Sequence, residues 1–413
     1  MSMNETPSGD RVHISIFGKR NAGKSSIMNV LTGQQLSIVS EVKGTTTDPV
    51  RKAMELLPMG PVVITDTPGL DDEGQLGRFR MEKSFEVLDQ TDIAVVVIDA
   101  SIGKEKEDEW IIERIQEKQI PYVLVYNKHD LIRKPTIETV DVKKLLARAQ
   151  AGEEIRIWVS TVDQYHIADL KELLAGMQPV KEPQTPIVAD LVQPNDVVVL
   201  VVPVDKAAPK GRLILPQQQT IRELLDVGAV SVVTRETELE TTLKKLGTAP
   251  DLVITDSQAF EMVAEIVPES VPLTSFSILF ARHKGVLKTA IAGVAMLEQL
   301  KDGDNILIAE GCTHHRQCGD IGTEKLPKWI RERTGGKELF FEFCSGTEFP
   351  KDLSPYQLII QCGGCMLNER EVKNRYQLAV KQGVPITNYG IAISEMKGIL
   401  KRSIAMLTDE EQV

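Results

Sequence analysis

The chain has 413 residues, 42% hydrophobic and 26% charged, ordinary proportions for a globular protein; at roughly 150 residues per domain this implies about three domains. Acidic residues outnumber basic ones by 59 to 48, for a formal net charge of −11, the reverse of a phosphate-backbone footprint, so nucleic acid is disfavoured as the main partner. No stretch approaches the ~20 apolar residues of a membrane span, the first residues carry no signal-peptide pattern, and the cysteines crowd between Cys312 and Cys365, which argues against a disulfide framework and for a cytoplasmic location.

In chain order, a first unit over residues 9–180 alternates apolar strands with amphipathic stretches: Val12–Phe17, Val62–Thr65, Ile93–Ile98, Tyr122–Tyr126 and Ile155–Val159. That alternation predicts a parallel sheet with right-handed crossovers. Lys181-Glu-Pro-Gln-Thr-Pro186 reads as a linker. A second unit, 187–269, predicts strands at Val197–Pro203, Val230–Thr234 and Leu252–Thr255. Its helices fall at Gln217–Leu225, Glu236–Leu246 and Gln258–Ile266. It carries no chemical motif and reads as an association module. A third unit, 271–413, predicts a helix at Leu287–Leu300 and strands at Asn305–Ala309, Leu339–Phe343 and Gln357–Ile360, each leading towards a cysteine. Parallel pairing would bring those strand ends to one sheet edge, where open α/β sheets place ligands. No internal repeat is evident. The expected fold is α/β throughout: a P-loop nucleotide-binding domain, a small α/β module and a C-terminal α/β domain.

Gly18-Lys-Arg-Asn-Ala-Gly-Lys-Ser25 lies between a strand and an apolar helical pattern, the setting a phosphate loop requires. Backbone N–H groups from Gly18 to Ser26, including Ala22 and Gly23, are expected to wrap the phosphates. Lys24 reaches the β- and γ-phosphates and Ser25 binds Mg²⁺. Asp66-Thr-Pro-Gly69 follows a strand, placing Asp66 near Mg²⁺ and the Gly69 N–H near the γ-phosphate. Asn127-Lys128-His-Asp130 follows another, and Asp130 offers a carboxylate to guanine N1 and N2; Ser160 and Thr161 contact the base. His129 reads as an exposed spacer.

These motifs, in this order, resemble the GTPase superfamily, so the nucleotide is expected to be GTP. Gly44-Thr-Thr-Thr-Asp48 looks like the subgroup acting in tRNA modification and ribosome assembly. That resemblance implies Thr46 as the Mg²⁺ and γ-phosphate ligand of switch I and Asn21 as a K⁺ ligand. It makes Lys24, Thr46 and Gly69 the catalytic set. Leu70 stands where a Ras-like enzyme has its water-orienting glutamine, which calls for another means of activation. Asp71, Asp72 and Glu73 are nearby, and no catalytic acid is assigned.

Cys312-Thr-His314 and Cys362-Gly-Gly-Cys365 admit a redox dithiol, half a zinc site or an iron–sulfur cluster. Cys318 and Cys344 read as unligated thiols, His315 as a surface residue, and His13, His166 and His283 as structural. Together with the GTPase unit and Pro216-Gln-Gln-Gln-Thr-Ile221, the cysteine pattern resembles the HydF family of [FeFe]-hydrogenase maturation GTPases. Gln361 occupies the place where that family often has histidine. The resemblance implies a homodimeric scaffold holding a [4Fe–4S] cluster on Cys312, Cys362 and Cys365. It would receive a diiron precursor from radical-SAM maturases and deliver it to apo-[FeFe]-hydrogenase. The fourth iron would then take His314 or Glu310, since an amide oxygen is a poor iron ligand. The competing expectations are a tRNA- or ribosome-directed GTPase with a structural zinc and a GTP-controlled dithiol oxidoreductase.

Overall fold

The computed structural model describes residues 9, 11–33, 49–69, 83–132, 139–179, 185–203, 213–311, 320–346, 348–364 and 366–407. The chain divides into two compact units, Met1–Glu182 and Pro183–Val413.

The first unit is a six-stranded sheet of β1 (Val12–Phe17), β2 (Val50–Leu56), β3 (Gly60–Asp66), β4 (Ile93–Asp99), β5 (Tyr122–Asn127) and β6 (Ile155–Trp158), in the order β2-β3-β1-β4-β5-β6. All neighbours are parallel except β2, which runs antiparallel to β3. Ile14, Ile16, Val95, Val97, Val123 and Val125 are fully buried. Helices cover both faces, so the central strands read as unbroken apolar runs. Strand β2 is absent from the sequence-based expectation. It is an edge strand whose Arg51, Ala53 and Glu55 alternate outward, and a charged edge carries only a weak period-two signal.

The second unit holds two four-stranded parallel sheets. One comprises β7 (Val197–Val201), β8 (Val230–Thr234), β9 (Leu252–Thr255) and β10 (Leu273–Ser275), ordered β10-β9-β7-β8. The other comprises β11 (Asn305–Glu310), β12 (Phe340–Ser345), β13 (Leu358–Gln361) and β14 (Ile386–Asn388), ordered β12-β11-β13-β14. The first of these sheets runs on past residue 269 to include β10. Cys344 lies within β12, opposite Ala309, rather than beyond the strand's end.

In each sheet the first strand is central, the second lies on one side, and the third and then the fourth lie on the other. The two sheets are copies of one topology, and sequence agrees with topology. Val271-Pro-Leu-Thr-Ser-Phe-Ser-Ile278 and Lys284-Gly-Val-Leu-Lys288 match Val384-Pro-Ile-Thr-Asn-Tyr-Gly-Ile391 and Lys397-Gly-Ile-Leu-Lys401. Ser275 and Asn388 are equivalents, and both cap the following helix by accepting from Ile278 N and Ile391 N. The second unit therefore contains an internal repeat. The clear matches are confined to the last strand and its following helices, so the run of the sequence does not announce it.

The repeats exchange helices. Leu287–Val294, from the first repeat, packs on β14 of the second; Leu400–Ile404, from the second, packs on β10 of the first. Gly293 permits the first contact, since a Cβ there would lie 2.1 Å from Ile386 O. Arg402 secures the other by donating to Ala264 O, Val267 O, Pro268 O and Val271 O. One continuous core runs from Val199 and Val253 to Ile308 and Ile360.

Gly293→Ala should therefore cost about 2 kcal/mol through overpacking. Hydrogen exchange should show β7 and β11 losing protection together, because the helix belongs to one sheet by sequence and to the other by packing.

Candidate functional site

The phosphate loop turns between β1 and the helix Lys24–Thr32. Gly18, Asn21 and Gly23 adopt positive φ, 142°, 60° and 95°. Glycine is needed on steric grounds at two of these: a Cβ at Gly18 would meet Val97 O at 2.2 Å, and one at Gly23 would meet Asn127 Nδ2 at 2.1 Å. Asn127 donates from Nδ2 to Ala22 O at 3.0 Å, tying the base-side strand β5 to the phosphate loop. The buried Lys24 ammonium crosses the loop and donates to Gly18 O (2.9 Å) and Lys19 O (2.7 Å).

Ser25 Oγ donates to Asp66 Oδ2 at 2.6 Å, bringing the two expected magnesium ligands together. Burial pushes the Asp66 carboxyl above its ordinary range, opposed by Ser25 and Lys24. Its Oδ1 is buried with no hydrogen-bond partner among the described residues. A cation beside it would stabilise the charged form, so this pair fits Mg²⁺. Gly69 lies close over Arg20, where a Cβ would approach the Arg20 backbone N to 3.1 Å. Ser26 lies in the first turn of the Lys24–Thr32 helix. Thr46, Leu70, Asp71, Asp72 and Glu73 lie outside the described residues.

At the base end, Ser160 Oγ donates to Asp130 Oδ1 at 2.8 Å. Ser160 is fully buried, and Val162 N (3.3 Å) and Asp163 N (3.5 Å) donate to its hydroxyl. The adjoining Thr161 is fixed through its carbonyl by Gln164 Nε2 at 3.1 Å. Lys128 takes φ 64° and pairs with Asp99 Oδ2 at 2.6 Å. Sequence reasoning misses Asp99; its only signal is a carboxylate closing an apolar strand. His129 is half-buried and stacks on Tyr165 at 4.5 Å rather than standing exposed, because the loop Ser160–Tyr165 folds against it.

In the second unit, β11 and β13 end side by side, with Cys362 N donating to Ala309 O at 2.8 Å. Cys362 Sγ accepts from Gly311 N at 2.9 Å and Gly364 N at 3.4 Å. Lys284, from the other repeat, donates from Nζ to Gly364 O at 2.8 Å and Gly363 O at 3.5 Å. Its repeat equivalent Lys397 pairs with Glu261 at 2.7 Å. Glu310 is buried at the end of β11 and accepts from Tyr389 Oη at 3.2 Å. Burial, together with Cys362 and Glu310, pushes the Tyr389 hydroxyl well up, so it stays a donor. Burial pushes the Cys344 thiol up to about 11, keeping it a neutral thiol. Cys312, His314, His315, Cys318 and Cys365 lie outside the described residues, and among the described residues no group of three or more metal-ligating side chains is complete. A sulfur at a strand end with backbone N–H groups aimed at it, beside a buried carboxylate, fits a thiolate-bound iron–sulfur group.

Comparison with known proteins agrees with this layout. Residues 13–128 match the family model described as 50S ribosome-binding GTPase. GTPase Der of Mycoplasmopsis pulmonis is 36% identical over 141 residues, 33% of this chain and 32% of that protein. The tRNA modification GTPase MnmE of Heliobacterium modesticaldum is 36% identical over 163 residues, 39% of this chain and 33% of that protein. The chain thus spans about a third of the length of these relatives. An Era crystal structure from Aquifex aeolicus, bound to GDP and AlF4−, is 20% identical, covers 62% of this chain and 97% of that chain, and has a TM-score of 0.35. Residues 187–285 match the hydrogen maturase F dimerization domain and 288–406 its tetramerization domain. These last two models follow a P-loop GTPase domain and together cover more than half of the sequence, and the chain belongs to the hydrogen maturase F family.

Proposed function

We propose that the protein is a cytoplasmic GTP-hydrolysing scaffold that holds a [4Fe–4S] cluster, accepts a diiron precursor from radical-SAM maturases and delivers it to apo-[FeFe]-hydrogenase. The observation that carries this reading is Cys362 Sγ at the junction of β11 and β13, with Gly311 N–H and Gly364 N–H directed at it. Cys312, Cys362 and Cys365 would supply the thiolates, and the buried Glu310 or His314 the fourth position. When bound, the cluster supplies an iron whose non-thiolate ligand an incoming iron unit can displace. Glu310 suits that role because a carboxylate binds iron more weakly than thiolate does.

In the GTPase domain, Lys24 and the phosphate-loop N–H groups hold the phosphates, Ser25 and Asp66 orient Mg²⁺, and Thr46 and the Gly69 N–H meet the γ-phosphate. Asn21 and switch I hold K⁺, offsetting charge where Leu70 cannot orient water. Hydrolysis releases the switch segments and biases partner exchange. The module spanning β7–β10 mediates homodimerisation: among the described residues β8 is an edge strand with Val230 and Val233 half-exposed, an edge suited to a second copy. The likeness to Der and MnmE covers 33% and 39% of this chain, so their roles are not extended to the whole of it.

Asp130→Asn should weaken GTP binding and admit xanthosine nucleotides, because the amide nitrogen presents a donor where the guanine 2-amino group needs an acceptor, while xanthine carries a carbonyl there. Competition binding reads this out, and equal hydrolysis of ATP and GTP by the native protein would refute the assignment. Hydrolysis should run faster in K⁺ than in Na⁺ at equal ionic strength, and Asn21→Ala should erase the difference in a phosphate-release assay. After anaerobic reconstitution, Cys312→Ser, Cys362→Ser and Cys365→Ser should each lose iron and sulfide, while Cys344→Ser keeps both. Native protein that takes up zinc but neither iron nor sulfide would overturn the scaffold reading.

A further inference from the structure

Gln361, the last residue of β13, is 1% exposed. An amide buried that deeply is costly unless both of its ends are bonded. Arg375 Nη1 donates to Gln361 Oε1 at 3.2 Å. A guanidinium has donors and no acceptor, so this contact fixes the amide with oxygen towards Arg375 and nitrogen away from it. The nitrogen then faces Cys362 Sγ at 3.8 Å.

Arg375 is itself immobilised. Its Nη2 donates to Glu371 Oε1 at 2.7 Å and to Gly346 O at 2.6 Å, and its guanidinium lies over the Phe349 ring at 4.9 Å. Among the described residues, Cys362 Sγ thus receives three N–H groups, from Gly311, Gly364 and Gln361. Two belong to the backbone. The third is a side chain, and side-chain donors are open to substitution.

We propose that Gln361, turned by Arg375, is a positioning residue that donates a hydrogen bond to the Cys362 sulfur and thereby sets the reduction potential of the iron–sulfur group Cys362 ligates. This rests on the cluster reading above. Gln361 is not an iron ligand, because its oxygen is engaged by Arg375 and faces away from the sulfur. On reduction one electron enters from an external reductant, no bond to iron is lost and no proton is taken up. The added negative charge spreads onto the sulfurs, and an N–H directed at one of them stabilises the reduced state and raises the potential.

The test uses the full chain reconstituted anaerobically with ferrous iron and sulfide and titrated with dithionite, the reduced cluster being followed by EPR. Gln361→Leu removes the donor at similar volume, and Gln361→Met does so with an unbranched chain should the leucine variant fail to fold. Iron and sulfide content should equal that of the native protein. The midpoint potential should move negative, and the Fe–S(Cys) stretch in resonance Raman should rise, as an unburdened sulfur binds iron more strongly. Gln361→Glu, which keeps the Arg375 partner but loses the N–H, should also move the potential negative. A midpoint unchanged in the leucine or methionine variant at full iron content would overturn the proposal while leaving the cluster reading intact. Loss of iron in all three folded variants would show Gln361 to be a ligand and overturn it too. Failure of the native chain to take up iron would remove both.

Discussion

The carboxyl-terminal edge of a parallel sheet concentrates backbone N–H groups and loop residues around a ligand, and both sites in this chain depend on it. In the first unit, β1, β3 and β5 end together and deliver Gly18, Asp66 and Asn127. In the second, β11 and β13 end together and deliver Glu310 and Cys362. In the second site two backbone N–H groups, those of Gly311 and Gly364, donate to the Cys362 sulfur. Close packing behind the strand ends selects glycine at Gly18, Gly23 and Gly311, where a Cβ would meet Val97 O at 2.2 Å, Asn127 Nδ2 at 2.1 Å and Leu367 Cγ at 2.9 Å.

The phosphate loop, Asp66–Gly69 and Asn127–Asp130 are legible in the sequence because their chemistry is local. Each is a short run at a strand end, and the backbone N–H groups it presents follow from its own glycines. The cysteine motif is legible in its residues but not in its surroundings. Gln361 reads as a departure from a histidine pattern. Only the position of Arg375, one helix further along, reveals which end of the amide meets the sulfur. Likewise the apolar runs forecast the parallel strands around the cysteines, but not the sheet to which a short strand belongs. Leu273–Ser275 and Ile386–Asn388 are three residues each, too short for a period, and are recognisable only as two copies of one segment. Strand β2 escaped because an edge strand with a charged face carries little apolar signal.

The Arg375–Glu371 pair illustrates how burial and positioning trade against each other. Both side chains are almost fully buried, at 3% and 8% exposure. Such a pair is a weak stabiliser, because desolvation offsets most of the attraction. What it provides is a fixed direction. Glu371, Gly346 O and the Phe349 ring hold the guanidinium, which leaves one N–H directed at Gln361. The backbone donors at Cys362 need no such help, since the turn of the chain aims them.

In symmetry terms, the exchange of helices between the repeats is isologous: Leu287–Val294 does for β14 what Leu400–Ile404 does for β10, and Lys284 reaches across as Lys397 does. This is the arrangement a swapped homodimer of a single repeat would have, with the partners joined into one polypeptide. A true homodimer must carry identical residues on both sides of its axis. A fused pair is released from that rule, and the two sheets have used the freedom. After its third strand one copy carries Cys362-Gly-Gly364, and the other Asp256-Ser-Gln258. One half thereby carries a cysteine at its strand end, while the other contributes Lys284 to that loop.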